Sequence, residues 1–268
     1  MDPSSITSLI AAMPNAMAIV SGFAVGVIVG MTGVGGGSLM TPLLMGVFRL
    51  NPAVAIGTDL WFAAITKSGG AWAHARQGHV DWQITRWLLR GSVPASLGTI
   101  SLMHANGFAD GWSRALTLSL GIALLLTAFV IANKKAWAGL GLRLEPWVTA
   151  QRKAMLTTSA GVVLGVLVTL SSIGAGALGA TMLVLLHPRL SAHRLVGTDI
   201  AHAVPLTLIA GIGHASLGHV DWALLVLLLM GSLPGIWLGA VLMKFMSERL
   251  VRALLCVSLV TAGLKIIS

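Results

Sequence analysis

Asp59, Lys67, Asp199 and His202 stand inside stretches that are otherwise apolar. Ionisable groups in such surroundings are expensive to bury and are functional candidates by default. Asn51-Pro52 reads as a helix start, with Asn as N-cap and Pro at the first helical position. Asp59 then lies about 10 Å deep at the helical rise, and Asp199 has the matching depth in the second half of the chain. Each carboxylate could carry a proton or brace nearby backbone amides. Lys67 sits nine residues before Arg76, about 13 Å from that end of its segment. A stem of about 6 Å does not carry the ammonium clear of a bilayer core. Lys67 is therefore expected to hold an anion or to pair with a carboxylate. His202 follows Asp199 by three residues and Thr198 by four, so the three share a helix face. That spacing suits a proton-relay pair or a packed polar network. His74 and His214 fall near segment ends, where an interfacial, hydrogen-bonded histidine is expected.

Two glycine-rich stretches add a second kind of chemistry. Gly33-Val34-Gly35-Gly36-Gly37-Ser38 interrupts an apolar run, and Ser171-Ser172-Ile173-Gly174-Ala175-Gly176 is a looser version downstream. Each glycine costs a helix about 1 kcal/mol relative to alanine, so neither stretch suits a regular helix. Inside a membrane, broken backbone is tolerated only where protein buries it or where it lines a wet cavity. A helix opened by Ser38 would present free amides and a positive dipole end, and glycine lets an anion approach that backbone closely. The candidate anion-binding residues are thus Gly33, Gly35, Gly36, Gly37 and Ser38, then Ser171, Ser172, Gly174 and Gly176, with Thr58, Thr198 and Lys67. The competing use of such glycines is close packing of helices.

The elements that must position these residues follow from composition. The chain has 268 residues, 56% hydrophobic and 9% charged, with mean hydropathy +0.90. A soluble domain carries about 25% charged residues, so an all-helical integral membrane protein is predicted, with the lipid bilayer as solvent. The net charge of +9 does not indicate nucleic acid, because the basic residues occupy short connections between apolar runs. Cys256 is the single cysteine, which rules out an internal disulfide. No zinc motif, catalytic triad, hydrolase carboxylate pair or Walker sequence occurs. The reading is of a protein that is not an enzyme and holds no cofactor or metal. The N-terminus lacks the positive region of a cleaved signal peptide, so the first apolar run is expected to remain.

Apolar segments fall at about 16–32, 38–48, 52–75, 83–104 and 111–132, then 154–171, 177–187, 192–215, 222–244 and 249–267. Spanning takes about 20 residues, so 38–48 and 177–187 are too short to cross unaided. Both follow a glycine interruption, and each pair reads as a re-entrant hairpin or broken helix. The halves repeat. Gly57-Thr58-Asp59 recurs as Gly197-Thr198-Asp199, and Gly78-His79-Val80-Asp81-Trp82 as Gly218-His219-Val220-Asp221-Trp222. His74 matches His214, and Gly91-Ser92-Val93-Pro94 matches Gly231-Ser232-Leu233-Pro234. This gives a first repeat at 1–132, a linker at 133–153 and a second repeat at 154–268, a build common among secondary transporters.

Basic residues orient the chain. Lys134, Lys135, Arg143, Arg152 and Lys153 face one acid, Glu145, in the linker, which places it in the cytoplasm. Arg76 and Arg86, Arg189 and Arg194, and the basic residues of 244–252 then fall on the same side. The opposite side receives only Arg49 and Lys265 among those placed. Both termini are predicted periplasmic, and the two repeats are predicted to be inverted.

Gly33-Val34-Gly35-Gly36-Gly37 with Pro42, then Gly57-Thr58-Asp59, then a His-x-x-x-Gly-x-Val-Asp turn, all repeated in the second half, resembles the TauE/SafE sulfite-exporter family over about 16–267. The resemblance implies a polytopic transporter of the bacterial inner membrane that moves sulfite, other sulfur oxyanions or small organosulfur acids. It carries over Gly33, Gly35, Gly36, Gly37, Gly57, Thr58, Gly197 and Thr198 by position. The second hairpin departs from the pattern, with Thr181 where Pro42 stands. The expected partner is a small anion, exported by alternating access. A channel-like anion pore and an uptake carrier for another small organic anion remain as other classes.

Overall fold

The computed structural model describes residues 3–32, 37–105, 110–174, 176–242 and 248–267, and among these every element is helical. In chain order they are α1 (Pro3–Thr32), α2 (Gly37–Gly46), α3 (Pro52–Arg76), α4 (Trp82–Ala105), α5 (Asp110–Ala132) and α6 (Lys134–Leu144). A single 3-10 turn at Glu145–Trp147 leads to α7 (Ala150–Ser171), α8 (Ala177–Leu186), α9 (Ala192–Ser216), α10 (Trp222–Leu242) and α11 (Glu248–Ile267). The helix ends follow local chemistry. The Asn51 side chain accepts from the Val54 amide at 2.9 Å with Pro52 behind it. Ser191 caps α9 at the matching place in the second half. Gly78 and Gly218 take left-handed φ of 69° and 76° in the twin turns after α3 and α9, a conformation that costs glycine little.

Three boundaries differ from the apolar runs. α1 begins at Pro3 rather than near residue 16. α7 begins at Ala150, capped by Thr149, so four residues of the predicted linker belong to a span. The rest of that linker is largely helix α6. The first glycine break, Gly33 to Gly36, lies outside the described residues; Gly37 and Ser38 open α2. The second break is described. α7 stops at Ser171, Ser172 turns to φ 57°, Gly174 takes φ 123°, and α8 resumes at Ala177.

Four described helices are long and apolar enough to cross a membrane: 114–132, 150–171, 192–216 and 222–242. Shorter apolar helices occur at 15–31, 177–186 and 255–267. The protein is therefore a multi-pass membrane protein. α3 and α4 have the length as well, but Asp59, Lys67 and Arg76 in one, and Arg86 and Arg90 in the other, lower their hydropathy.

Packing pairs one half with the other. α1 runs along α10 and α4 along α7, α3 crosses α9, and α5 packs on α11. Exchanging the halves leaves this set unchanged. Gly22 faces Leu228, Gly26 faces Ser232 and Gly30 faces Ile236, so α1 and α10 run parallel. A Cβ on any of the three would lie 2.2–2.4 Å from the facing carbonyl oxygen. Gly161 and Gly165 bring α7 equally close to Leu88 and Ser92 of α4. With no hydrophobic drive between helices in lipid, such backbone approach is what van der Waals association requires. Where the stripe on α1 has Gly30, α7 has Thr169, and its hydroxyl bonds Ser96 of α4 at 2.8 Å.

At the linker, α6 rests on the end of α8, Gly141 lying against the carbonyls of Val184 and Leu185. Glu145 pairs with Lys153 at 3.0 Å and with Arg189 at 2.8 Å. His187 bonds Thr157 Oγ1 at 2.9 Å and stacks on Trp87. Burial pushes His187 below its ordinary value, Lys153 pushes the same way, and Asp81 and Glu145 oppose. A depressed histidine contributes stability fully above its unfolded value of about 6.5 and loses it as pH falls through the folded value. Acidification below about pH 6.5 is expected to lower the unfolding temperature in detergent. His187→Gln should flatten that dependence, and an unchanged slope would remove His187 as its source.

Candidate substrate site

The site forms where α3 and α9 cross. Trp61 Nε1 donates to Gly211 O at 3.0 Å, and Gly70 faces Ile200 farther along, so the two helices are antiparallel. This register sets Lys67 between those contacts, near the middle of the crossing. Asp59 and Asp199 stand on either side, about 20 Å apart along the seam by helical rise. They do not form a carboxylate pair. Lys67 acts electrostatically on both, and on His202. The result is one cation flanked by two buried carboxylates.

Each carboxylate sits at the start of the short helix of its own half. Asp59 accepts a short hydrogen bond from Thr41 Oγ1 of α2, and Ser172 of the second break lies close enough to act on it. Asp199 Oδ1 lies against Gly179 of α8, where a Cβ would be 2.2 Å from that oxygen. Glycine at 179 is what allows the carboxylate so near the backbone. The Oδ1 atoms of Asp59 and Asp199 are both buried without a hydrogen-bond partner among the described residues. The amides of Gly176 and Gly179 both donate to Gly174 O, at 2.9 and 3.0 Å. Part of the second break therefore satisfies itself, and part of the dipole end of each short helix meets a protein carboxylate.

Thr58 and Thr198 do something the spacing did not reveal. The Asp221 amide donates to Thr58 Oγ1 at 3.0 Å, and the Asp81 amide donates to Thr198 Oγ1 at 2.9 Å. Gly57 lies directly beneath His219 O, and Gly197 beneath His79 O. The Gly-Thr-Asp of each half thus clasps the Gly-His-Val-Asp turn of the other. Thr58→Val would strand a partly buried amide, which costs about 1–3 kcal/mol, while Thr58→Ser keeps the acceptor. Unfolding measurements in detergent are expected to separate the two variants by that amount. Equal stability would mean that the clasp carries no weight.

The remaining candidates are dispersed. His202 is fully buried and its Nε2 is 3.0 Å from Ser92 Oγ on α4; it makes no hydrogen bond to Asp199 among the described residues. His214 is also fully buried in the last turn of α9, its Nε2 bonding Thr169 O at 2.9 Å, so this hydrogen-bonded histidine is enclosed by protein. His74 stays partly buried with its ring tilted against His79, which in turn stacks on His193. Ser171 bonds Leu167 O at 2.6 Å, inside α7. Gly33, Gly35 and Gly36 lie outside the described residues, and Gly37 and Ser38 are described only as the first residues of α2. Among the described residues no group of three or more His, Cys, Asp or Glu is arranged to hold a metal. Sequence reasoning gave no role to Thr41 or Ser92. Ser92 carried a usable signal, since it lies in the repeated Gly-Ser-x-Pro stretch.

A polytopic helical bundle with a half-buried lysine between two buried carboxylates, and with the break between α7 and α8 reaching the same crossing, has the build of a membrane transporter. The chain belongs to the TauE/SafE sulfite exporter family, whose model matches residues 18–266. It is 38% identical to the probable membrane transporter protein YjnA of Bacillus subtilis, over 93% of this chain and 98% of that protein. It is 28% identical to YdhB of the same organism, also named a probable membrane transporter protein, over 90% and 96%. A probable membrane transporter protein of Xylella fastidiosa is 29% identical over 83% and 82%. No solved structure matches the chain.

Proposed function

We propose that the protein is a secondary carrier of the bacterial inner membrane that exports a small sulfur-containing anion, such as sulfite, another sulfur oxyanion or an organosulfonate. The observation that carries the reading is Lys67 near the middle of the α3–α9 crossing, with an acidic residue at a distance on either side. A lysine there offers a point charge to an anion that has left water. The flanking carboxylates, each set against a short helix, repel an anion that strays along the seam. The substrate would meet Lys67 and the glycine amides of the first break.

Movement follows from the two halves acting as inverted repeats, with both termini periplasmic. In that arrangement the Asp81 turn closes the cytoplasmic end and the Asp221 turn the periplasmic end, each against a threonine of the other half. Rocking one half on the other opens one clasp while the second stays shut. A cell interior negative by 100 mV favours export of each negative charge by about 2.3 kcal/mol, so export requires no coupling ion. Asp59, Asp199 and His202 are the groups able to carry a proton were the direction reversed.

The test is reconstitution into liposomes with labelled sulfite, thiosulfate and sulfoacetate. A carrier shows saturation and counterflow of at least one of them. Flux that neither saturates nor exchanges would mark a pore, and movement of none of the three would end the substrate assignment.

A further inference from the structure

We infer that α6 is an interfacial helix whose surroundings bind anionic phospholipid, on the membrane face where the linker lies. The argument begins with length. The spans 114–132 and 150–171 end and begin on either side of the linker. α6, with 11 residues, extends about 16 Å and cannot cross the roughly 30 Å hydrocarbon core. It therefore stays at the face where α5 ends and α7 starts.

Its faces are unequal. Trp137 and Gly141 turn inward, Gly141 onto α8 and Trp137 edge-on to Phe129 of α5. Leu140 and Leu144, four residues apart, run along the edge of that inward face, and Trp147 follows in the 3-10 turn. Among the described residues nothing covers the three completely: they are 41%, 45% and 79% exposed. An apolar face with tryptophan at its end, beside a bilayer surface, is the pattern of a helix lying in the headgroup boundary.

Charge selects the lipid. Arg143 on α6 and Arg152 in the first turn of α7 are exposed, and Arg189 is joined to the 3-10 turn through Glu145. Glu145, the one acid of the linker, is already engaged by Lys153 and Arg189. The corner where α6, α7 and the α8–α9 connection meet is therefore cationic, and an anionic headgroup answers it. Because α6 rests on α8, the helix that follows the second break, lipid held here sits one helix away from the Asp199 end of the site.

The test uses the full chain in nanodiscs. In a Cys256→Ser background, a spin label is placed by Leu144→Cys or, separately, by Arg143→Cys. The label at 144 is expected to relax faster with oxygen dissolved in lipid than with a water-soluble nickel chelate, and the label at 143 to show the reverse. A label at 144 reached best by the chelate would overturn the interfacial placement. Spin-labelled phosphatidylglycerol is expected to be retained over phosphatidylcholine. Arg143→Gln with Arg152→Gln is expected to lower that preference by about fivefold per charge, the weight of one basic residue at an anionic surface. Both side chains are exposed, so the double variant is expected to fold, which a monodisperse gel-filtration peak checks. A folded double variant that retains phosphatidylglycerol as the parent does would overturn the lipid assignment.

Discussion

Lys67→Ala is expected to lower affinity for the transported anion on the order of thirtyfold or more, since truncating one partner of a buried charge contact costs 2–5 kcal/mol. The estimate rests on position. Lys67 is the cation that acts on Asp59, Asp199 and His202 alike, and its counterpart in the second half is Thr207. One positive charge therefore serves a seam built from two halves. Removing it also leaves both carboxylates without their shared cation, so the alanine variant loses stability as well as binding. Lys67→Arg separates the two effects, because it keeps the charge while changing the shape of the donor. The expected order of affinity, read by equilibrium binding of labelled anion to purified protein, is parent, then arginine, then alanine. Lys67→Thr would make the two halves alike at this position and is expected to behave as alanine does. Binding by a folded alanine variant with the parent's affinity would take Lys67 out of the site.

Much of the architecture was legible because lipid simplifies the problem. Backbone polar groups must be satisfied within each segment, so long apolar runs became helices, and the ends of α3, α4 and α5 fell within a residue or so of the hydropathy boundaries. The repeat also carried information about packing. Residues displaced by 139 or 140 positions, such as Gly22 and Gly161 or Asn51 and Ser191, pack or cap at matching places. What stayed hidden was contact between motifs. Gly57-Thr58-Asp59 and the Gly-His-Val-Asp turn each appear twice, but nothing in their spacing says that each copy meets the other kind across the halves. The burial of His214 stayed hidden for a similar reason. Its distance from the helix end suggested an interface, while the partner that buries it, Thr169 of α7, is 45 residues away in the chain. α6 escaped notice because the basic residues around it outweigh Leu140, Leu142 and Leu144 in any averaged hydropathy.

The clasp between the halves gives the second large expectation. Gly57→Ala would set a Cβ 1.9 Å from His219 O, and Gly197→Ala one 2.5 Å from His79 O. Neither obstacle is the free end of a side chain, so relief requires α3 or α9 to back away from the opposing turn. That movement also breaks the adjacent bond, Asp221 amide to Thr58 in the first case and Asp81 amide to Thr198 in the second. Overpacking alone costs about 1–3 kcal/mol, and a stranded amide adds about 1–3 more. Gly57→Ala, with the closer approach, is expected to be the worse of the two. Gly69→Ala supplies the control on the same helix, since nothing lies within 4 Å of a Cβ there and alanine favours a helix over glycine by about 1 kcal/mol. Unfolding in detergent should therefore rank Gly69→Ala at or above the parent and Gly57→Ala well below it. If Gly57→Ala proved as stable as Gly69→Ala, the turn would not be held against α3, and closing one end of the seam by that contact could not be part of how the protein works.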